Sequence, residues 1–352
     1  MKKILLIVTV YRVGERIYPI IPSLSELVDI DVLFVNEMCN EMQWYGDKDP
    51  RNKFHSMYDK FFKNKFYGHL NSNKQNFNEF NVSKYDLVLY DDNRDRYDLN
   101  IIYSNCKKHN IPVVGCTHGT VSRNFAKEFY GKVFDYMFVF GDNEFKLFPE
   151  FKSIFIKGGI PANDLLKNYD KTEEYILVIV NYLGNRSCPF NVRFDEQLIK
   201  KTGLVELQKE FNKKVLFKLK SRLDYPFPDK DVNYLKSIVP SELDYNYIID
   251  CEDDDNELIS KSFITIAAPG TMSLKSIQKG IPTILIKDSG QNDFFYNFKG
   301  LLPLDTQLIF DEVERQYNAD RDDKFISQIV TGGNNYNSTE IFVNKLMEIL
   351  NV

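Results

Sequence analysis

VVGCTHGTVSRNF, residues 113–125, joins an apolar run to a polar loop and then to a segment with the pattern of a helix start. This order is typical of a strand that ends in a functional loop at the carboxyl edge of an open α/β sheet, where ligands bind. His118 lies in the middle of that loop. A histidine in this place either titrates near the pH at which enzymes work or forms hydrogen bonds within a tight turn, and the sequence leaves both interpretations open.

Strand and helix patterns alternate on both sides of this stretch. KKILLIVTV, at the start of the chain, is a continuous apolar run, as expected of a strand that is covered on both faces. The alternation restarts after the polar segment NYDKTEE, residues 168–174. The pattern predicts an α/β protein with two parallel-sheet domains, residues 1–168 and residues 174–352. The last amphipathic helix, residues 338–350 with Ser338 as its N-cap, can pack back on the N-terminal domain.

The composition limits the kinds of partner. The chain has 352 residues, 43% of them hydrophobic, and a net charge of −5, so it lacks the basic field that steers a protein onto nucleic acid. Its first apolar run, Ile4 to Val10, has no cleavage site after it and is far shorter than the roughly 18 residues of a membrane span. We therefore expect a cytoplasmic protein whose five scattered cysteines, without CxxC spacing, are reduced thiols.

A second loop, Ala268 to Ser273, lies between an apolar strand and a helix. Gly270 allows the backbone to turn tightly, while Thr271 and Ser273 place hydroxyl groups beside the free N–H groups of the helix start. Those N–H groups and the helix dipole together favour an anion. Capping of the helix by Thr271 or Ser273 is the alternative interpretation.

Basic residues follow another strand of the same half, in the sequence FKLKSR. They alternate with other residues and therefore share one face if the strand continues that far. Such a face is either a solvated edge or a set of phosphate ligands beside the second loop. The three basic residues are Lys218, Lys220 and Arg222. The loop NYLGNRS, predicted on the same side of the sheet, carries Asn185, Arg186 and Ser187.

These motifs, in this order, resemble those of GT-B glycosyltransferases of bacterial surface-polysaccharide synthesis. The THGT loop resembles the Kdo-transferase and CDP-glycerol glycerophosphotransferase groups. The stretch APGTMSLKSIQKGIPTIL is similar to the donor-site helix of lipid A disaccharide synthase. Two departures are Lys275, where that helix usually has Glu for the ribose, and SRLD, where the phosphotransferases tend to have a Pro-His-Pro-like run.

The resemblance implies two Rossmann-like domains that face each other across a cleft, with the acceptor on the N-terminal domain and the donor on the C-terminal domain. It implies metal-independent transfer of a sugar from a nucleotide-sugar to a hydroxyl of a saccharide or lipid-linked saccharide, in capsule or lipopolysaccharide synthesis. No cofactor is expected, and peripheral membrane association is left open. His118 would act as general base or contact the transferring group.

The resemblance also assigns the binding residues. In the donor site, the phosphates are held by Lys218, Lys220, Arg222, Gly270, Thr271 and Ser273, beside a loop formed by Asn185, Arg186 and Ser187. In the acceptor site, the expected residues are Arg12, Gly14, Arg16, Thr117, Gly119 and Thr120.

Three other functions stay open. A glycerophosphotransferase-like enzyme and a UDP-sugar 2-epimerase share this architecture, although the sequence does not reveal the carboxylates with which an epimerase would deprotonate the sugar carbon. A two-domain small-ligand binding protein is the alternative outside the enzymes, and the lack of a signal peptide counts against it. Two acidic runs, Asp91-Asp92 and Asp253 to Asp255, are interpreted as a strand end and a helix cap rather than as metal ligands.

Overall fold

The structure of the chain is a computed structural model. It describes residues 1–8, 14, 16–35, 67–70, 81–92, 100–117, 119, 133–180, 196–219, 228–249, 254–287 and 293–351.

The first sheet is entirely parallel and has seven strands in the described residues, in the order β3-β2-β1-β4-β5-β6-β7. Continuous apolar runs form its centre, as the sequence predicts, because helices and loops cover both faces. Its strands are β1 (Lys3–Val8), β2 (Asp29–Val35), β3 (Tyr67–Leu70), β4 (Leu87–Tyr90), β5 (Val113–Cys116), β6 (Tyr136–Val139) and β7 (Phe155–Lys157). Its helices include α1 (Ile20–Leu27), α2 (Asn100–Lys108) and α3 (Asp142–Leu147).

The second sheet is also parallel, with the order β10-β9-β8-β11-β12-β13. Its strands are β8 (Tyr175–Val180), β9 (Lys214–Leu219), β10 (Tyr245–Ile249), β11 (Ser262–Ala267), β12 (Thr283–Ile286) and β13 (Leu301–Leu302). The helices of the second half include α4 (Leu204–Phe211), α5 (Pro228–Ile238), α6 (Asp255–Ser260), α7 (Thr271–Lys279), α8 (Thr306–Tyr317), α9 (Asp323–Ile329) and α10 (Ser338–Leu350).

Both sheets have the strand order of a Rossmann-like domain. The first strand of each lies in the middle of its sheet, beside the second strand on one side and the fourth on the other. The direction of winding reverses between β1 and β4 in one sheet and between β8 and β11 in the other, and open α/β sheets bind ligands at the carboxyl ends of the strands there. The predicted α/β fold with two Rossmann-like domains is therefore confirmed.

The chain forms two compact units. The first comprises Met1–Asp164 together with Ser327–Val352, and the second comprises Leu165–Ile326. The division thus falls within a 3₁₀ helix, Pro161–Asn168, just before the polar segment at which the sequence suggested a linker. The chain returns to the first unit with its last helix.

Helix α10 is anchored to the first unit by side chains that are distant in sequence. Its N-cap residue is Asn337 rather than Ser338, so the predicted N-cap is wrong. The Asp164 carboxylate instead accepts hydrogen bonds from the backbone N–H groups of Ser338, at 3.1 Å, and Thr339, at 2.7 Å. The hydroxyl of Ser338 donates to the carbonyl of Thr331 at 2.8 Å. A distant carboxylate therefore performs the capping that the sequence assigned to a local serine.

Two further expectations concern the chain as a whole. Among the described residues no helix is long and apolar enough to cross a membrane. Cys106 and Cys116 are buried free thiols, and the other three cysteines lie outside the described residues.

Candidate functional site

Buried acidic and hydroxyl groups lie at the carboxyl edge of the first sheet, where β4 and β5 end. Asp91 and Asp92 follow β4 and are both 0% exposed, and Thr117 follows β5 at 3%. We call these three residues, with Arg16, the first edge. Its backbone is fixed by the sheet, because the Asp91 N–H donates to the Ile7 carbonyl at 3.1 Å and the Thr117 N–H to the Phe138 carbonyl at 2.9 Å.

A small cavity opens at the first edge. Its volume is ≈ 20 Å³, enough for about one water molecule. Gly159 closes one side with a positive φ of 71°, and a side chain there would collide with the Thr331 carbonyl, so only glycine fits. The polar or small lining residues are Arg16, Asp91, Cys116, Thr117 and Gly159. Asp91 thus shares a cavity with two of the residues that the sequence assigned to acceptor binding.

The two carboxylates shape the electrostatics of the first edge. Burial raises the pKa of the Cys116 thiol well above its ordinary value, and the negative charges of Asp91 and Asp92 raise it further. Cys116 is therefore a neutral thiol at neutral pH and a poor nucleophile. The pKa of the Tyr103 hydroxyl is raised by burial, then by Tyr90, and also by the same two carboxylates. Asp91 and Asp92 are thus the acidic side chains whose charge the neighbouring Cys116 and Tyr103 experience.

The structure locates part of the predicted acceptor site. Gly14 and Gly119 are buried, and the Gly14 carbonyl accepts a hydrogen bond from the Tyr18 N–H at 3.0 Å. Arg16 and Thr117 lie at the first edge. The remaining predicted residues of this half, Arg12, His118 and Thr120, lie outside the described residues.

At the carboxyl edge of the second sheet, helix α7 begins directly after β11, as predicted. Gly270 is its N-cap, and the Ser273 hydroxyl accepts a hydrogen bond from the Gly270 N–H at 2.9 Å and donates to the Gly270 carbonyl at 2.8 Å. Ser273 therefore closes the turn, which is the capping interpretation of this residue. Thr271 is half-buried, and its hydroxyl makes no hydrogen bond within the described residues.

A buried ion-pair network lies beside this helix start. Lys218, near the end of β9, has a side chain only 4% exposed, and its ammonium group lies 3.1 Å from one carboxylate oxygen of Asp255. The other oxygen of Asp255 lies 3.8 Å from the ammonium group of Lys275, on α7. We call Lys218, Asp255, Lys275 and Thr271 the second edge. Lys218 is therefore beside the predicted phosphate site, but an acidic side chain of the protein already neutralises part of its charge.

The neighbouring acidic residue has a structural role. Asp254 is the N-cap of α6, and its carboxylate accepts a hydrogen bond from the Asn256 N–H at 2.8 Å. It also accepts one from the Tyr169 hydroxyl at 2.7 Å. The helix-cap interpretation of this acidic run is confirmed for Asp254. Within the described residues, no three His, Cys, Asp or Glu side chains are grouped so as to hold a metal ion.

The remaining predicted donor residues lie outside the described residues. They are Asn185, Arg186, Ser187, Lys220 and Arg222.

Sequence reasoning missed two functional candidates. Asp91 was interpreted as a strand end, although its position after the strand that flanks the reversal point is a signal for a ligand site. Asp255 was grouped with the helix cap, and its contact with two lysines depends on the order of β9, β10 and β11 in the sheet.

Neither a protein-family model nor a curated protein matches the chain in sequence. Its structure, however, is similar to solved structures over the whole length. S. aureus MnaA, solved with UDP, gives a TM-score of 0.67 at 14% identity and covers 100% of this chain and 97% of its own. Methanocaldococcus jannaschii UDP-GlcNAc 2-epimerase, in complex with UDP-GlcNAc and UDP, gives a TM-score of 0.64 at 16% identity. That match covers 98% of this chain and 99% of the epimerase chain. The calicheamicin glycosyltransferase CalG4 gives a TM-score of 0.54 at 12% identity, and the match covers 99% of this chain and 98% of the CalG4 chain.

The chain shares the two-domain fold of these proteins. At such low identity the likeness concerns the fold alone, and the finer resemblance to Kdo transferases, glycerophosphotransferases and lipid A disaccharide synthase stays a prediction.

Proposed function

We propose that the chain is an enzyme that acts on a nucleotide-activated sugar and holds the sugar nucleotide's phosphates at the second edge. One observation carries the proposal: α7 begins with free N–H groups and the Thr271 hydroxyl, has no acidic residue in its first turn, and has Lys275 one turn further on. By contrast, α3 and α6 both have acidic residues in their first turns, where these stabilise the helix dipole.

Such an arrangement suits a leaving phosphate. Negative charge develops on the leaving group when the bond between the sugar and the phosphate breaks, and fixed donors near that oxygen stabilise the transition state. A helix start with lysines beside it can do this without a metal ion. Solved structures of the same fold contain UDP or UDP-GlcNAc, which supports a nucleotide-sugar as the ligand class.

Glycosyl transfer is the first form of the proposal. It follows from the order of the motifs and from the resemblance to surface-polysaccharide enzymes, and CalG4 shows that a glycosyltransferase can have this fold. His118, or a carboxylate of the first edge, would take the proton from the acceptor hydroxyl. The acceptor would be a saccharide or lipid-linked saccharide of a surface glycan.

Epimerisation of the sugar at C2 is the second form, favoured by Asp91 and Asp92. Inversion of a carbon centre requires a base that removes its proton, and two fully buried carboxylates at the first edge meet that chemical need. Asp91 and Asp92 are therefore the candidates for the carboxylates that the sequence did not reveal. The M. jannaschii protein shows that a 2-epimerase can have this fold.

Thermal denaturation of the purified protein tests the ligand class. With UDP, CMP, CDP, GDP and dTDP tried separately, with and without EDTA, we expect one nucleotide to raise the melting temperature by mass action, and EDTA to leave the shift intact. Thr271→Val should reduce the shift, because it weakens binding of the nucleotide. Thr172→Val, at an exposed threonine that bonds Glu174, is the matched control and should retain it. No shift with any nucleotide would support the binding-protein alternative.

Turnover in D₂O separates the two forms of the proposal. An epimerase acting on a UDP-sugar incorporates one deuterium at the inverted carbon without any acceptor, because the proton removed is replaced from solvent. A transferase leaves that carbon unlabelled and releases free UDP only when an acceptor is present. NMR of the recovered sugar nucleotide distinguishes the outcomes.

A further inference from the structure

Asp255 holds two lysines at once. Its two carboxylate oxygens lie 3.1 Å from the ammonium group of Lys218 and 3.8 Å from that of Lys275. The three side chains are 18%, 4% and 15% exposed, in the order Asp255, Lys218, Lys275, so solvent screens the network only weakly. Charge interactions here are consequently stronger than those of surface pairs.

The position of Lys275 is unfavourable for the helix that carries it. Lys275 lies four residues after Thr271 and therefore on the same face of α7, close to the positive end of the helix dipole. A lysine there raises the local positive potential instead of lowering it. The Asp255 carboxylate, from the start of the neighbouring helix α6, supplies negative charge on that side.

We infer that Asp255 is an internal counter-anion with which the ligand's phosphates compete for Lys218 and Lys275. This inference rests on the proposed function, because it concerns the same phosphate site. A ligand that carries one negative charge gains little by replacing a carboxylate that is already in place. A diphosphate carries more charge and can bind both lysines together with the helix start. Asp255 thus lowers the affinity of the second edge for any anion that must displace it, and a diphosphate carries enough charge to do so.

Asp255→Asn tests the inference, because asparagine keeps the shape and removes the charge. We expect the affinity for UDP and for inorganic pyrophosphate, measured by isothermal titration calorimetry, to rise about tenfold. Asp323→Asn is the matched control: Asp323 pairs with Arg321 at 2.9 Å and is 65% exposed. Asp323→Asn should change the affinity for neither UDP nor pyrophosphate.

A purely structural role for Asp255 predicts the opposite result. If the carboxylate only holds Lys218 and Lys275 in place, Asp255→Asn leaves the affinity unchanged or weakens it, and the inference is overturned.

Asp255→Asn leaves the buried Lys218 ammonium group without the carboxylate that neutralises it, and this can prevent folding. A second variant tests the inference in that case. Lys275→Gln keeps the Lys218–Asp255 pair and should weaken pyrophosphate binding about fivefold, with a shallower dependence on salt. Unchanged binding in Lys275→Gln overturns the inference. If the wild-type protein binds neither UDP nor pyrophosphate, the proposed function fails as well. If the wild type binds UDP and the variants behave as in a structural role, only the inference fails.

Discussion

Among the described residues, the carboxyl edge of the first sheet has two fully buried carboxylates beside the partly buried Arg16, whereas the same edge of the second sheet has two lysines that share one carboxylate. The two sheets have the same order for their first six strands, so topology does not explain the difference. The side chains at the strand ends explain it: Asp91 and Asp92 follow β4, and Lys218 is the next-to-last residue of β9. Under the proposed function, one fold provides acid–base groups in one unit and an anion site in the other.

The largest expected effect separates these two tasks. Asp91→Asn keeps the size of the side chain but removes its ability to accept a proton, so we expect kcat to fall roughly 100-fold or more. The affinity for UDP, set at the second edge, should stay within a factor of two. Steady-state kinetics and calorimetry measure the two quantities.

Asp142→Asn is the control for this variant, because Asp142 is 40% exposed and pairs with Lys157 away from the cavity. If the kcat of Asp91→Asn stays within tenfold of the wild-type value, the first edge does not take part in the reaction.

The next effect concerns the second edge. Thr271→Val removes a hydroxyl that we expect to donate to a phosphate, and hydrogen bonds to charged groups contribute about 1.5–3 kcal/mol. The Kd for UDP should therefore rise about tenfold or more, while the melting temperature without ligand stays the same. A variant that binds UDP as tightly as wild type would show that Thr271 is not a ligand.

The first unit should also have a pH-dependent stability, because it buries the carboxyl group of Glu144. Burial raises the pKa of the Glu144 carboxyl from 4.5 to about 8, even though backbone N–H groups of Phe140 and Gly141 donate to it. Because the folded state holds this proton more tightly than the unfolded state, folding takes up a proton between these two values. Stability therefore falls as the pH rises through this window, with a slope that approaches about 1.4 kcal/mol per pH unit.

Glu144→Gln should flatten this dependence. Urea denaturation at a series of pH values from 5 to 8 measures the slope for the variant and for the wild type. Equal slopes in both proteins would show that other groups control the pH response.

The smallest effect distinguishes the two hydroxyl residues of the second loop. Ser273→Ala removes the bonds that close the turn before α7 and should cost about 1 kcal/mol of unfolding free energy. Its affinity for UDP should stay close to wild type, in contrast to Thr271→Val. A large loss of affinity in Ser273→Ala would instead support the phosphate role that the sequence suggested for Ser273.

Much of the fold could be predicted from local patterns. The run from Ile4 to Val8 in β1 is apolar throughout because both faces of the strand are buried. The spacing of apolar residues therefore predicts which faces of a strand are covered. The start of α7 was also predictable from a local pattern, since Gly270 and the hydroxyl residues after it are close together in the sequence. Ser338 shows the limit of such reasoning: the motif suits a local cap, but Asp164 provides it.

The alternation of strands and helices, the two α/β domains and the loops that carry polar groups can be predicted from local sequence patterns, because these features depend on neighbours within one helix or strand. The cavity that Asp91 shares with Arg16 and Thr117, and the bridge that Asp255 forms between Lys218 and Lys275, become visible only in the folded chain. These contacts join residues from different strands and helices. They depend on strand order and on the packing of helices over the sheet, and local sequence patterns specify neither.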